Sequence, residues 1–141
     1  MKDILGICGF AGAGKDTVGQ RLVENYGYTS IAFADPLKDA LTAIFGWDRA
    51  MLSGRTPESR VWREQIDQWW ANKLEIPHFS PRFAMQNFGT DVMRRTFHDQ
   101  IWIINTEKRI LDTDGPVVIT DGRFANEIQM LRRLGGRIYR V

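Results

Sequence analysis

The chain predicts an α/β fold, a parallel sheet flanked by helices in three layers, and three observations carry that expectation. An apolar run, Ile4-Leu5-Gly6-Ile7-Cys8, leads straight into the glycine-rich stretch Gly9-Phe10-Ala11-Gly12-Ala13-Gly14-Lys15, which opens an amphipathic segment. A second run, Val117-Val118-Ile119-Thr120, is β-branched throughout, as strands buried in a parallel sheet tend to be. Segments with helical spacing of apolar residues lie between and after these strands, which is the alternation a sandwich of this kind requires.

In chain order, the first helix is expected from Lys15 to Tyr26, with Val18, Leu22, Val23 and Tyr26 on one apolar face and Gly27 ending it. Thr29 to Ala34 reads as a short buried second strand. Asp35-Pro36 is then an N-cap followed by proline in the first helical position, with Leu37, Ala40, Leu41, Ile44 and Phe45 as core stripe and Gly46 as stop. Trp47 to Pro57 reads as a surface loop, and Thr56-Pro57 restarts a helix to about Leu74, lined by Trp62, Ile66, Trp69 and Trp70. Aromatic residues at that spacing read as core rather than as a base-stacking platform.

Ser80-Pro81 starts another helix, carrying Phe83, Ala84 and Phe88, and Gly89 precedes a further helical stretch with Val92, Met93 and Phe97. Ile101 to Leu111 continues as helix. Asp114-Gly115-Pro116 turns the chain into the β-branched strand, which ends at Asp121-Gly122-Arg123. Ala125, Ile128, Leu131 and Leu134 mark a last helix stopped by Gly135-Gly136, and Arg137 to Val141 begins a fourth strand. This organises residues 1–141 as one domain, a core of 1–46 and 112–141 holding a helical insertion of about 47–111 suited to binding an acceptor.

Composition is that of a globular protein: 43% hydrophobic and 26% charged over 141 residues, without repeats or low-complexity tracts. No apolar run is long enough to span a bilayer and no secretory leader opens the chain, so a cytoplasmic protein without a membrane partner is expected. The single cysteine, Cys8, closes the first strand and reads as a small buried hydrophobe rather than a nucleophile. His78 and His98 have no partner at metal-ligand spacing. Net charge is +2, but fourteen arginines stand against five lysines, which favours planar, bidentate anion recognition. The arginines are spread along the chain among acids, so a nucleic-acid polymer is not an expected partner.

The glycine-rich stretch has the chemistry of a phosphate cradle. Glycines let the backbone curl with its N–H groups facing inward, the following helix N-terminus adds positive potential, and Lys15 reaches the β/γ-phosphates of a nucleoside triphosphate. Its strand-loop-helix setting favours a P-loop NTPase sandwich over a turn that merely caps a helix. A hydroxyl residue ordinarily follows the lysine to coordinate Mg²⁺, whereas here Asp16 stands there and Thr17 comes one later. Asp16 can hold Mg²⁺ directly or through water, and Thr17 can supply a hydroxyl. Asp121, at the end of a buried strand, occupies the place of a second metal-organising carboxylate.

Several further pieces match a known family in order along nearly the whole chain. They are Gly14-Lys15-Asp16-Thr17, Phe33-Ala34-Asp35-Pro36-Leu37-Lys38, Ser80-Pro81-Arg82, Gln86-Asn87-Phe88-Gly89-Thr90-Asp91 with Arg94, Asp99 with Trp102, and Asp121-Gly122-Arg123-Phe124-Ala125-Asn126-Glu127. With these the chain resembles the phage-type deoxynucleoside monophosphate kinases of the P-loop nucleoside and nucleotide kinase group, in which an Asp after the loop lysine is also found. The resemblance implies transfer of the γ-phosphoryl of ATP to the 5′-phosphate of a deoxynucleoside monophosphate, with Mg²⁺ as cofactor.

The implied roles follow the chemistry. Gly9, Ala11, Gly12, Ala13, Gly14, Lys15, Asp16 and Thr17 surround the ATP phosphates, and Asp16, Thr17 and Asp121 serve Mg²⁺ or its waters. Lys15, Asp121 and Arg123 form the catalytic set. Lys38, Arg82 and Arg123 meet the acceptor phosphate, joined by Arg94 or Arg95. Gln86, Asp91 and Asn126 contact base or sugar, or else make structural hydrogen bonds and caps. In such kinases a mobile lid with further arginines, a fifth strand and an adenine loop follow the strand at which this sequence stops. The expectation is a fragment, or a lean variant drawing on a partner chain such as a homodimer mate, with lower ATP affinity and turnover than a full-length relative. For a phage-encoded protein the compartment would be the host cytoplasm.

Three other readings compete. Another small-molecule P-loop kinase, acting on a phosphorylated metabolite or dephospho-coenzyme A, shares the loop. A regulatory GTPase would use Asp112-Thr113-Asp114-Gly115 and Asn72-Lys73-Leu74-Glu75, but the first precedes a strand where it should follow one and the second has Glu in place of Asp. A non-catalytic nucleotide-binding module would bind ATP without transferring phosphate.

Overall fold

The computed structural model describes residues 2–10 and 12–141. Among these, four strands form one sheet: β1 (Ile4–Cys8), β2 (Thr29–Ser30), β3 (Val117–Ile119) and β4 (Arg137–Arg140), in the order β2-β3-β1-β4. All pairings are parallel, with Ile4 opposite Val117 and Cys8 opposite Arg140. Strand residues alternate between two apolar layers, as the period of two demands. Ile4, Val117 and Ile119 pack on one face with Ile31, Phe33, Ile110, Met130 and Leu131. Leu5, Ile7 and Val118 pack on the other with Leu22 and Tyr28. Helix α1 (Lys15–Tyr26) supplies Leu22. Farther along the chain, α7 (Ile101–Asp112) supplies Ile110, and α8 (Ala125–Arg133) supplies Met130 and Leu131 to the opposite layer. The expected three-layer sandwich is therefore present.

Between α1 and α7 the elements are α2 (Asp35–Phe45), α3 (Arg49–Ser53), α4 (Pro57–Glu64), α5 (Gln68–Leu74), α6 (Pro81–Gln86) and a π-helical segment, Asn87–Phe97. The chain divides into a sheet unit, residues 1–34 with 102–141, and a helical unit, residues 35–101. These boundaries differ from 46 and 112 because Leu41 and Phe45 of α2 belong to the aromatic core of the helical unit, while Ile103 and Ile110 of α7 belong to the sheet core.

Several local expectations are corrected. On α1 only Leu22 of the expected face packs inward. Val18, Val23 and Tyr26 are exposed, and Gly19 is the buried position, where a Cβ would come 2.7 Å from Thr120 Cγ2. The second strand is two exposed residues rather than Thr29 to Ala34, although Ile31 N–H still donates to Val118 O at 3.0 Å and Ile31 and Phe33 are buried. Cys8 is half-buried at the edge of its strand.

In the helical unit, Ala40 and Ile44 lie outside the α2 stripe, exposed. The expected loop of residues 47–57 contains α3, capped by the Asp48 carboxylate on Met51 N–H and closed by Gly54. The helix expected to reach Leu74 breaks at residues 65–67, since Asp67 caps a new start by accepting from Trp70 N–H at 3.2 Å. Ile66 and Trp69 are consequently exposed, whereas Trp62 and Trp70 pack. The core there is aromatic: Phe45 stacks on Trp47 with centroids 4.7 Å apart and meets Trp70 edge-on at 5.0 Å.

Candidate active site

The sheet topology dictates where a ligand can enter. From β1 the chain crosses by α1 toward β2 on one side, and from β3 it crosses by α8 over the other face toward β4 on the opposite side. The carboxyl ends of β1 and β3 are thus a topological switch point, where open α/β sheets bind ligands. The glycine-rich loop leaves β1 there, and Asp121-Gly122-Arg123 leaves β3.

Within the loop, Ala13 N–H donates to Phe10 O at 3.0 Å, closing a turn. Gly14 sits before α1 at φ 95°, a left-handed conformation that a side chain resists, and offers no side-chain cap. Among the described residues no side chain caps the first turn of α1, a helix N-terminus whose dipole favours an anion. Lys15 is half-buried in this first turn, with Asp16 and Thr17 exposed beside it. Ala11 lies outside the described residues. Gly9, Gly12 and Ala13 are in place around the turn, and a Cβ on Gly9 would meet Val141 O at 3.0 Å. Phe10 is exposed, with the Arg140 guanidinium 5.2 Å over its ring.

After β3, Asp121 accepts Phe33 N–H at 3.0 Å and Ala34 N–H at 3.2 Å, one on each carboxylate oxygen. This ties the segment leaving β2 to the end of β3. Arg123 is exposed, and Glu127 fixes its backbone by accepting Arg123 N–H at 2.8 Å and Phe124 N–H at 2.9 Å. Asn126 accepts Glu127 N–H at 2.9 Å, a helix-start role. No group of three or more His, Cys, Asp or Glu side chains that could hold a metal occurs among the described residues. Mg²⁺ does not need one, since it keeps waters and substrate phosphates and takes one or two carboxylates. Asp16, Thr17 and Asp121 are hard oxygen donors and fit that demand.

In the helical unit, Lys38 is half-buried on α2. Arg82 pairs with Glu64 at 3.0 Å, and Arg94 with Asp99 at 3.3 Å. Gln86, Asp91 and Arg95 line one cavity together with Phe83, Asn87 and Thr90. Arg95 pairs with Asp91 at 3.2 Å along its wall. The last three lining residues were not singled out as site residues by sequence. Two further arrangements also escaped. Arg49 bridges Asp35 at 3.0 Å and Asp39 at 2.7 Å. Arg63 lies across Gly54, where a Cβ would fall 2.4 Å from its Cζ, and donates to Leu52 O at the end of α3. Burial, and then the nearby Arg82 charge, hold the Arg63 pKa below the ordinary arginine value.

Residues 54–141, more than half of the chain, match the family model of deoxynucleotide monophosphate kinase. The chain belongs to the deoxynucleotide monophosphate kinase family. It is thereby a phosphotransferase, and the matched range holds Arg82, the cavity residues and Asp121 to Glu127. The glycine-rich loop precedes that range but lies within the reach of individual relatives. One, from Acanthamoeba polyphaga mimivirus and carrying a provisional deoxynucleotide monophosphate kinase name, is 28% identical over 98% of this chain and 72% of its own length. Another, the deoxynucleoside-5′-monophosphate kinase of Escherichia phage T5, is 28% identical over 94% of this chain and 72% of its own. No helix among the described residues of this family member is long and apolar enough to cross a membrane.

Proposed function

We propose that the chain transfers the γ-phosphoryl of ATP to the 5′-phosphate of a deoxynucleoside monophosphate, releasing ADP and the deoxynucleoside diphosphate, in the cytoplasm of the cell or infected host. The observation that carries this reading is the phosphate loop with its uncapped α1 N-terminus at the switch point of the sheet, in a member of a deoxynucleotide kinase family.

Phosphoryl transfer asks little covalent chemistry of a protein. Both reactants are anions, so the work is charge neutralisation and in-line positioning. Lys15 and the amides of residues 9–17 hold the ATP phosphates. Asp16, Thr17 and Asp121 hold Mg²⁺ or its waters, and the cation, when bound, neutralises charge shared by the β- and γ-oxygens. Lys38, Arg82 and Arg123 take the acceptor phosphate, with Arg94 or Arg95 assisting. Arg82 and Arg94 are held by exposed ion pairs, worth at most about 1 kcal/mol, so exchanging a carboxylate for a phosphate costs little.

The test is incubation of the chain with Mg²⁺-ATP and each common deoxynucleoside and ribonucleoside monophosphate, measuring ADP and diphosphate formation, with Lys15→Ala as control. Transfer to deoxynucleotides is expected, falling at least about 100-fold in the variant, as loss of a transition-state charge contact does. Absence of transfer to every acceptor by a chain that still binds ATP would overturn the reading in favour of a non-catalytic module. Transfer only to a phosphorylated metabolite or dephospho-coenzyme A would replace the acceptor.

A further inference from the structure

β2 is regular for only two residues, and what holds the backbone beyond it is specific. Ile31 N–H still donates to Val118 O at 3.0 Å, as the next rung of a ladder would. After that, side chains take over from the neighbouring strand. The Arg109 guanidinium of α7 donates to Ala32 O at 3.0 Å, while the Asp121 carboxylate accepts Phe33 N–H and Ala34 N–H on its two oxygens. Backbone groups of three consecutive residues are thus paired with a guanidinium and a carboxylate, in bonds stronger than those between neutral partners. Asn105, one turn back on α7, steadies the guanidinium through Oδ1, 3.5 Å from the same Nη1. The exit from β1 is secured by backbone instead: Cys8 lies opposite Arg140, and Cys8 O accepts Val141 N–H at 2.8 Å.

Position in the chain gives this bracket its meaning. The chain leaves the sheet unit after Ala34 and re-enters it at Trp102. Residues 31–34 are therefore the outgoing connection and α7 the returning one, and Arg109 fastens the second to the first. α2 opens at Asp35, directly after the bracketed residues, and Lys38 stands in its first turn.

We infer that Arg109 is a positioning residue for phosphoryl transfer, acting through the Ala32 carbonyl on the stretch of backbone that leads to Lys38; the inference rests on the kinase reading above. In-line transfer tolerates little displacement, and about 1 Å of misplacement can cost on the order of 100-fold in rate. A backbone held only by the Asp121 amide bonds would keep its N–H partners and lose the restraint on its carbonyl side. One donor on one carbonyl is all this role requires, so lysine should serve nearly as well as arginine. Direct recognition of a phosphate would instead exploit the forked, bidentate geometry that lysine lacks.

The experiment compares the unaltered chain with Arg109→Met, which keeps an apolar stem and removes the donor, and with Arg109→Lys. It measures kcat and both KM values with Mg²⁺-ATP and the deoxynucleoside monophosphate turned over fastest, together with hydrogen exchange of individual backbone amides. In Arg109→Met, kcat should fall roughly 10- to 100-fold with both KM values within about threefold of the unaltered chain. Exchange at Phe33 and Ala34 should quicken at least about 10-fold while the amides of β1 stay protected, a local loosening rather than a global one. Arg109→Lys should recover most of both losses. Faster exchange at Phe33 and Ala34 with kcat unmoved would overturn the positioning role and leave a local brace. A raised acceptor KM in both variants with kcat kept would overturn it too, making Arg109 a direct phosphate contact. Should Arg109→Met lose the protection of β1 as well, Arg109→Lys decides: a retained kcat upholds the role, and a fall beyond about 10-fold in a folded chain sinks it. Absence of transfer by the unaltered chain would overturn the kinase reading and this one together, whereas transfer that Arg109→Met leaves unchanged overturns this one alone.

Discussion

The sheet unit and the helical unit bury their interiors with different chemistry. The first packs aliphatic side chains, Ile4, Val117, Ile119 and Leu131 among them, in layers fixed by the alternation of parallel strands. The second packs aromatic rings, Phe45, Trp47, Trp70 and Phe79, between short helices that each begin on a side-chain cap or a proline. The contrast shows two ways of fixing an element. A parallel sheet holds loop ends through its hydrogen-bond ladder. Short helices around large rings hold theirs through local side-chain caps.

The largest effects should come from paired truncations of the two cores. Leu131→Ala in the sheet unit and Leu41→Ala in the helical unit each remove a side chain of 0% exposure, and each should cost about 2–5 kcal/mol in urea unfolding. A loss below about 1 kcal/mol at either would break the claim that both units are tightly packed. Next is Asp67, a polar hub peculiar to the helical unit. It caps α5 and accepts Trp47 Nε1–H at 2.8 Å, so Asp67→Ala should cost about 1–3 kcal/mol by removing the cap and orphaning the indole. Asp67→Asn keeps one acceptor oxygen and loses the other, so an intermediate cost is expected, and a cost equal to that of Asp67→Ala would show that neither bond survives.

The smallest effect belongs to the sheet unit. The Tyr28 hydroxyl, and then Arg137, hold the Asp3 carboxyl below the usual carboxylate range. A depressed folded-state pKa stabilises above the unfolded value of about 3.9 and is lost as pH falls through the folded value. Asp3→Asn should therefore lower stability slightly at pH 7 and flatten the acid limb, the two proteins converging below about pH 4 as the Asp3 carboxyl protonates. An unchanged acid limb would remove Asp3 from the account.

Punctuation made much of this legible in the sequence. Gly27, Thr56-Pro57, Ser80-Pro81 and the β-branched run at Val117 placed element ends correctly, because caps and prolines act locally. The glycine-rich loop was legible for the same reason. What stayed hidden depends on distant partners or on competition between local choices. The 57–74 helix breaks because Asp67 captures Trp70 N–H, and periodicity alone does not show that contest. Asp121 was readable as a strand-end acid, but its grip on Phe33 and Ala34, 88 and 87 residues away, was not. The π winding stayed hidden because the spacing of Val92, Met93 and Phe97 reads as an ordinary helix.

The placement of tryptophan gives the chain a built-in optical probe. Four of the five indoles, Trp47, Trp62, Trp69 and Trp70, lie in residues 35–101, and Trp102 alone belongs to the sheet unit. Trp47 is 7% exposed and sits against Phe45, while Trp69 is 59% exposed, so native emission mixes a blue component with a red one. Replacing Trp102 with phenylalanine would leave every emitter in the helical unit. Light from that variant, set beside far-ultraviolet dichroism from the whole chain, would tell which of the two units loses its order first.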